Sequence, residues 1–134
     1  MKEFEHELKG EAMILVNSAY TAIAARSGSL EVLGTPYMIA LMEKATCSAC
    51  ESLLDEGETT VGTAINITHD KASGLGELIK ASATLKAVDG RKLTFDVIAT
   101  DSKEDIIGKG TITRFVVTGE RFMSKVESKY GLKQ

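Results

Sequence analysis

The feature that most constrains this chain is the run at 35–54, TPYMIALMEKATCSACESLL. Its residues 38–42 are all apolar, and Ala45, Cys47, Ala49, Cys50, Leu53 and Leu54 carry the pattern on. A helix apolar most of the way round is one that other elements wrap. Glu43 interrupts the run, and a buried unpaired carboxylate costs on the order of several kcal/mol. The run opens with Thr35 as a candidate N-cap and Pro36, whose preset φ suits the first helical position. The expectation is a hydroxyl at the positive end of a buried helix, with a carboxylate about two turns further in.

Around this helix the period changes. Phe4, His6 and Leu8 alternate with Glu3, Glu5 and Glu7, as in a half-exposed edge strand, and 13–16 extends or follows it. Asn17 or Ser18 is placed to cap a short helix through 20–25 that ends near Gly28. After the central helix, 59–69 alternates, with Val61, Thr63, Ile65, Ile67 and His69 expected on the face that covers the helix. Residues 79–87 and 93–99 repeat the period, joined by Asp89-Gly90, a strong hairpin signal. A further strand is expected over 105–117, where Gly108 and Gly110 mark a bulge or a close backbone approach. Thr118 then caps a last helix carrying Phe122, Val126 and Tyr130 in one stripe, with Gly131 as its stop. This order reads as an α+β domain spanning 1–134: a strand, helices, and an antiparallel meander curled about one long helix. Such a sheet leaves open edges, so association through an edge is expected.

Bulk properties remove several classes. A net charge of -3 with no Lys/Arg run gives no field for nucleic acid. Glu43 and Lys44 break the only stretch that approaches a membrane span. The N-terminus lacks the apolar core of a signal peptide, and two cysteines without one suit a reducing cytoplasm. The Cys47-Ser48-Ala49-Cys50 pair lies about three turns inside the helix, away from the N-terminal dipole that activates redox thiols. A zinc site would need two more ligands, and His6 and His69 are scattered, so both thiols are read as small core fillers. Gly74-Leu75-Gly76 lacks the strand and helix of a dinucleotide fingerprint.

Three side chains remain as chemical candidates. Glu43 is either a structural carboxylate paired with a sheet cation or the base or nucleophile of a pocket. Thr35 taken alone is a helix cap, and His69 taken alone is a satisfied core histidine. Together they form a hydroxyl, a carboxylate and an imidazole, the set used in nucleophile–base–orienter chemistry.

The segments TPYMIALMEKA, GETTVGTAINITHDKASGLGE, AVDGRKLTFDVIATD and IIGKGTITRFVV resemble the hotdog-fold acyl-CoA thioesterases, in particular the fluoroacetyl-CoA thioesterase-like branch. The resemblance runs from Gly34 to the last helix and is most specific in the T-x7-E spacing and the V-G-T-A-x-x-x-T-H strand. It implies a hotdog fold and hydrolysis of an acyl-CoA or acyl-carrier thioester. It implies that Thr35, Glu43 and His69 are the catalytic set, that Gly62 lies against the active site, and that Arg114 belongs to the pocket. It further implies a homodimer with sites at the subunit interface, with pairing of two dimers left open, and no metal or organic cofactor. The fluoroacetate-specific enzyme carries an aromatic lid before the helix, whereas ARSGSLEVLG has no aromatic between Tyr20 and Tyr37. A different short or medium acyl group is therefore expected. The alternatives are a hotdog hydratase or dehydratase of enoyl thioesters, whose Asp–His motif is absent, and a non-catalytic acyl-CoA-binding module.

Overall fold

The computed structural model describes residues 1–131. Its elements are β1 (Leu8–Leu15), a short helix α1 (Ala22–Ala25), the long helix α2 (Thr35–Cys50), β2 (Glu58–His69), β3 (Leu78–Asp89), β4 (Lys92–Thr100), β5 (Ile106–Thr118) and α3 (Gly119–Tyr130). The five strands form one antiparallel sheet in the order β1-β3-β4-β5-β2. The α+β expectation of one long helix against a curled antiparallel sheet holds.

The details depart from the sequence reading in instructive ways. The alternating acidic stretch before Leu8 is not a strand; β1 starts there and runs through the second apolar stretch. The strand after α2 does not pair with the next strand, as a simple meander would have it. It crosses to the far edge beside β5, and β3 pairs with β1. Asn17 caps only a 3-10 turn, and Thr21 caps α1, its hydroxyl accepting from the Ala24 N–H. The Asp89-Gly90 hairpin forms as its local chemistry dictates, with Gly90 at φ 61 and Asp89 opposite Lys92.

Helix α2 lies across β1 and β3, burying Met38, Leu41, Met42, Ala45, Thr46, Ala49 and Cys50. The close approach to β1 needs Gly10: a Cβ there would sit 2.5 Å from the Ala45 carbonyl oxygen. Gly108 is likewise pressed, since a Cβ would stand 2.7 Å from Met38 Sδ. Thr46 satisfies its buried hydroxyl by donating to the Glu43 carbonyl at 2.5 Å. The sheet contributes Ile79, Leu85, Leu93, Phe95, Ile107 and Ile112, all fully buried. At about 0.8 kcal/mol per buried methylene, this core is what holds helix and sheet together.

Helix α2 is not wrapped all round. Ala40, Lys44, Cys47 and Ser48 face solvent, and the Glu43 side chain is 37% exposed. Of the two thiols only Cys50 fills the core; Cys47 is exposed. Burial pushes the Cys50 thiol above its ordinary pKa, leaving it an unreactive neutral group. Helix α3 forms where expected, from Thr118 to the left-handed Gly131, but buries none of its residues.

Candidate functional site

Two clusters form on the described chain. The first joins the start of α2 to the end of β2, where Thr35 Oγ1 and His69 Nδ1 share a hydrogen bond of 2.8 Å. Thr35 does not cap the helix: Gly34 is the N-cap and provides no side-chain bond. The N–H groups of Tyr37 and Met38, which a capping Thr35 would take, donate to the Gly34 carbonyl at 3.0 and 3.1 Å. The Thr35 hydroxyl is thereby left to the imidazole. His69 Nε2 is buried and has no partner. Burial lowers the ring's pKa from its ordinary 6.5, opposed more weakly by the Lys71 backbone and the Asp70 carboxylate. The ring is thus held neutral near pH 7, as an acceptor from a hydroxyl must be. Beside this pair lies a cavity of about 230 Å³ whose walls include Ala22, Val32, Leu33 and Ala72. Ser27, Asp70 and Lys71 complete the lining, so the cavity sets apolar and polar walls side by side next to the hydroxyl.

The second cluster sits on the middle of α2 and the first half of β2. Arg114 of β5 donates from Nη1 to Glu43 Oε2 at 3.1 Å, from Nε to Thr60 Oγ1 at 2.8 Å and from Nη2 to the Thr60 carbonyl at 3.0 Å. The guanidinium is 9% exposed and its carboxylate partner 37%, so the cation is the buried member and the carboxylate faces outward. Gly62 lies directly against it, since a Cβ there would stand 2.8 Å from Glu43 Oε2. Any larger residue would displace the carboxylate.

The face of β2 that carries these groups is set by a bulge. Pairing with β5 runs Gly62 to Arg114 and then Ala64 to Thr113, leaving Thr63 as the extra residue. Before the bulge, Thr60 and Gly62 face the helix, opposite Val116 and Arg114. After it, Ile65 opposes the buried Ile112 and His69 opposes Gly108. A uniform period of two would put Val61 and Thr63 on that face, and the bulge reverses their parity. Thr60, which grips Arg114 through two atoms, was hidden from sequence reasoning for this reason. The G-T-x-T-R stretch marked Arg114 but not the threonine that holds it.

Within one chain the two clusters do not meet. Thr35 and Glu43 are eight residues apart on α2, which is about 12 Å of helix rise. Gly62 lies in the first half of β2, whereas His69 is its last residue. The structure therefore brings Thr35 to His69, and Glu43 to Gly62 and Arg114, as separate groups. Among the described residues no three metal-ligating side chains gather, and no helix is long and apolar enough to cross a membrane.

Comparison with known proteins places this geometry in context. A family model described as fluoroacetyl-CoA-specific thioesterase matches residues 16–120. The fluoroacetyl-CoA thioesterase of Streptantibioticus cattleyicolor is 40% identical over 99 residues, covering 74% of this chain and 70% of that one. A solved structure of the fluoroacetyl-CoA thioesterase superposes with a TM-score of 0.86 at 32% identity, covering 96% of this chain and 98% of that chain. A mutant of that enzyme in complex with fluoroacetate and CoA superposes at 0.79 and 33% identity, over 89% and 99% of the two chains. A Thermus thermophilus thioesterase superfamily member, 19% identical, shares the fold with a TM-score of 0.88 over 99% of this chain and 100% of its own.

Proposed function

This chain belongs to the fluoroacetyl-CoA-specific thioesterase family, and from that premise we propose that it hydrolyses a short or medium acyl-CoA at a site built from Thr35, His69 and Glu43. The observation that carries the reading is the hydroxyl–imidazole contact at 2.8 Å beside a small cavity of mixed apolar and polar walls. With His69 neutral, Nδ1 accepts the Thr35 proton as Oγ1 attacks the thioester carbonyl. The carbon–sulfur bond then breaks, His69 returns the proton to the CoA thiolate, and water releases the acyl group. A backbone N–H beside Gly62 or at the start of α2 is the candidate donor to the oxyanion.

His69 Nε2, buried and without a partner, requires an acceptor. Glu43 supplies one if two copies associate through β2. Antiparallel pairing about a two-fold axis through Asn66 sets Ile65 of one copy opposite Ile67 of the other, both on the helix side. The same register sets His69 opposite the Gly62–Thr63 bulge, and so beside Glu43 and Arg114 of the second copy. A two-fold pairing makes this contact twice, giving two complete sites per dimer. The walls of the first cluster carry no aromatic lid, which favours an acyl group other than fluoroacetate.

Thiol release from a panel of acyl-CoAs tests the reading. Glu43→Ala and His69→Ala are each expected to lower kcat by about 10²- to 10⁴-fold, the range for loss of a positioned acid–base group, while the fold is kept. Full activity in a folded Glu43→Ala protein would remove Glu43 from the mechanism.

A further inference from the structure

The buried hydroxyls of this chain are spent in different ways. Thr21 accepts from the Ala24 N–H at the start of α1, and Thr46 donates to the Glu43 carbonyl one turn back along α2. Both bonds are local to a helix. Thr60, 8% exposed, instead reaches a residue 54 positions away. Its Oγ1 accepts from Arg114 Nε at 2.8 Å and its carbonyl from Nη2 at 3.0 Å. No step of the reaction drawn above uses it.

The Nε–H and the neighbouring Nη2–H leave the planar guanidinium along one edge, so a single residue holds that edge at two points. One hydrogen bond lets a planar group swing, whereas two side by side fix its plane. With that edge taken, Nη1 is left directed at Glu43 Oε2, 3.1 Å away. The carboxylate depends on this arrangement. It is partly exposed, and among the described residues Arg114 is its one ion-pair partner. Gly62 clears the space that Oε2 occupies, and the Nη1 contact holds the oxygen there. A half-exposed glutamate otherwise keeps much rotamer freedom. The cation depends on Thr60 in turn, because a buried guanidinium stays only where its N–H groups find acceptors. Thr60 supplies two of the three found here. With Cys50 fully buried beside it, the hydroxyl sits in a dry place where water does not replace a lost bond.

We propose that Thr60 is a positioning residue of the hydrolysis, setting the Glu43 carboxylate through Arg114, an assignment that rests on the thioesterase reading above. Thr60 touches no reacting atom. Its hydroxyl and carbonyl fix the guanidinium plane, Nη1 fixes Oε2, and Oε1 is left for the reaction.

Thr60→Val keeps the shape and removes the hydroxyl, whereas Thr60→Ser keeps the hydroxyl. Thr60→Val is expected to lower kcat about tenfold with KM within about twofold, since a displaced catalytic group costs rate rather than binding. Thr60→Ser is expected to stay within about threefold of the wild type, because the bond to Nε is kept. On a Glu43→Ala background, adding Thr60→Val is expected to change kcat by less than about twofold, because the hydroxyl acts only through the carboxylate. The Arg114 Nε–H signal in NMR reads the grip without any substrate. It is expected to be protected from exchange in the wild type and in Thr60→Ser, and to lose that protection in Thr60→Val. If Thr60→Val does not fold, Thr60→Ala replaces it in every comparison. Wild-type kcat in the folded variant lacking the hydroxyl, equal losses with and without the hydroxyl, or the full further loss on the Glu43→Ala background each overturns the assignment. If the wild-type protein cleaves no acyl-CoA, the thioesterase reading falls on its own. The NMR comparison then still decides the grip: an Arg114 Nε–H equally protected without the hydroxyl overturns it.

Discussion

The sheet ends on one side in β1, of 8 residues, and on the other in β2, of 12. β1 is closed from above: Gly10 and Ala12 are buried under α2, and Glu11 pairs with Lys80 at 3.3 Å on the outside. Charges and a covering helix are how a sheet edge is kept from pairing with another chain. β2 has neither. From 59 to 68 it carries no charged side chain, Thr60 alone is buried, and Ile65 on its helix side is 44% exposed. One edge is therefore fastened within the chain, whereas the other presents uncharged backbone and carries Gly62 and His69, one from each side-chain cluster. The lesson is that glycine serves both edges but for different ends: Gly10 admits a helix and Gly62 admits a carboxylate.

Substitutions at these two glycines separate packing from chemistry. Gly10→Ala drives a methyl into the α2 backbone at Ala45 and Ala49, which no rotamer change relieves. It is expected to cost about 3 kcal/mol, at the upper end for overpacking, and is read by denaturant unfolding. Gly62→Ala presses on the movable end of Glu43 at 2.8 Å and meets Arg114 Nη1 only at an ordinary contact distance of 3.5 Å. It is expected to leave the unfolding midpoint within about 1 kcal/mol while lowering kcat by about tenfold or more, because the carboxylate is displaced. Equal stability losses at both sites would erase the contrast between the edges.

Ile65→Lys sharpens the same contrast. A cation at an open edge blocks strand pairing, so sedimentation is expected to show a folded monomer with little thioesterase activity. The matching change on the closed side, Met13→Lys, is expected to leave the association state as it was. A monomeric Ile65→Lys protein with full activity would show that one chain suffices.

The smallest expected effect concerns pH. Burial holds the His69 pKa below 6.5, so the folded chain takes up this proton less readily than the unfolded chain. Its contribution to stability is fully present above pH 6.5 and is lost as pH falls through the lower folded value. The acid limb of kcat/KM is expected to follow that same value, and an NMR titration of the ring checks both. A ring that titrates at or above 6.5 would contradict the neutral acceptor beside Thr35.

What was legible in the sequence followed from local physics. The apolar period placed α2, the Asp89-Gly90 pair fixed its hairpin, and Gly131 ended α3 in the left-handed conformation it favours. The T-x7-E spacing and the strand ending in His69 marked the candidate groups. What was hidden depends on pairing between distant segments. The crossing of β2 to the β5 edge is a tertiary choice, and the Thr63 bulge exists only against β5. Reading 59–69 as an unbroken alternation therefore missed Thr60 and put Val61 on the wrong face. Thr35 looked like a cap because caps favour hydroxyls, yet Gly34 takes that place and leaves the hydroxyl to His69.

Mixing two inactive variants tests the shared site most directly. Glu43→Ala and His69→Ala chains, unfolded together and refolded in equal amounts, form heterodimers in about half of all pairs, each with one intact site of two. Activity is expected to return to about a quarter of the wild-type level. No recovery, in a mixture shown by mass spectrometry to contain heterodimers, would mean that Glu43 and His69 do not act across two chains.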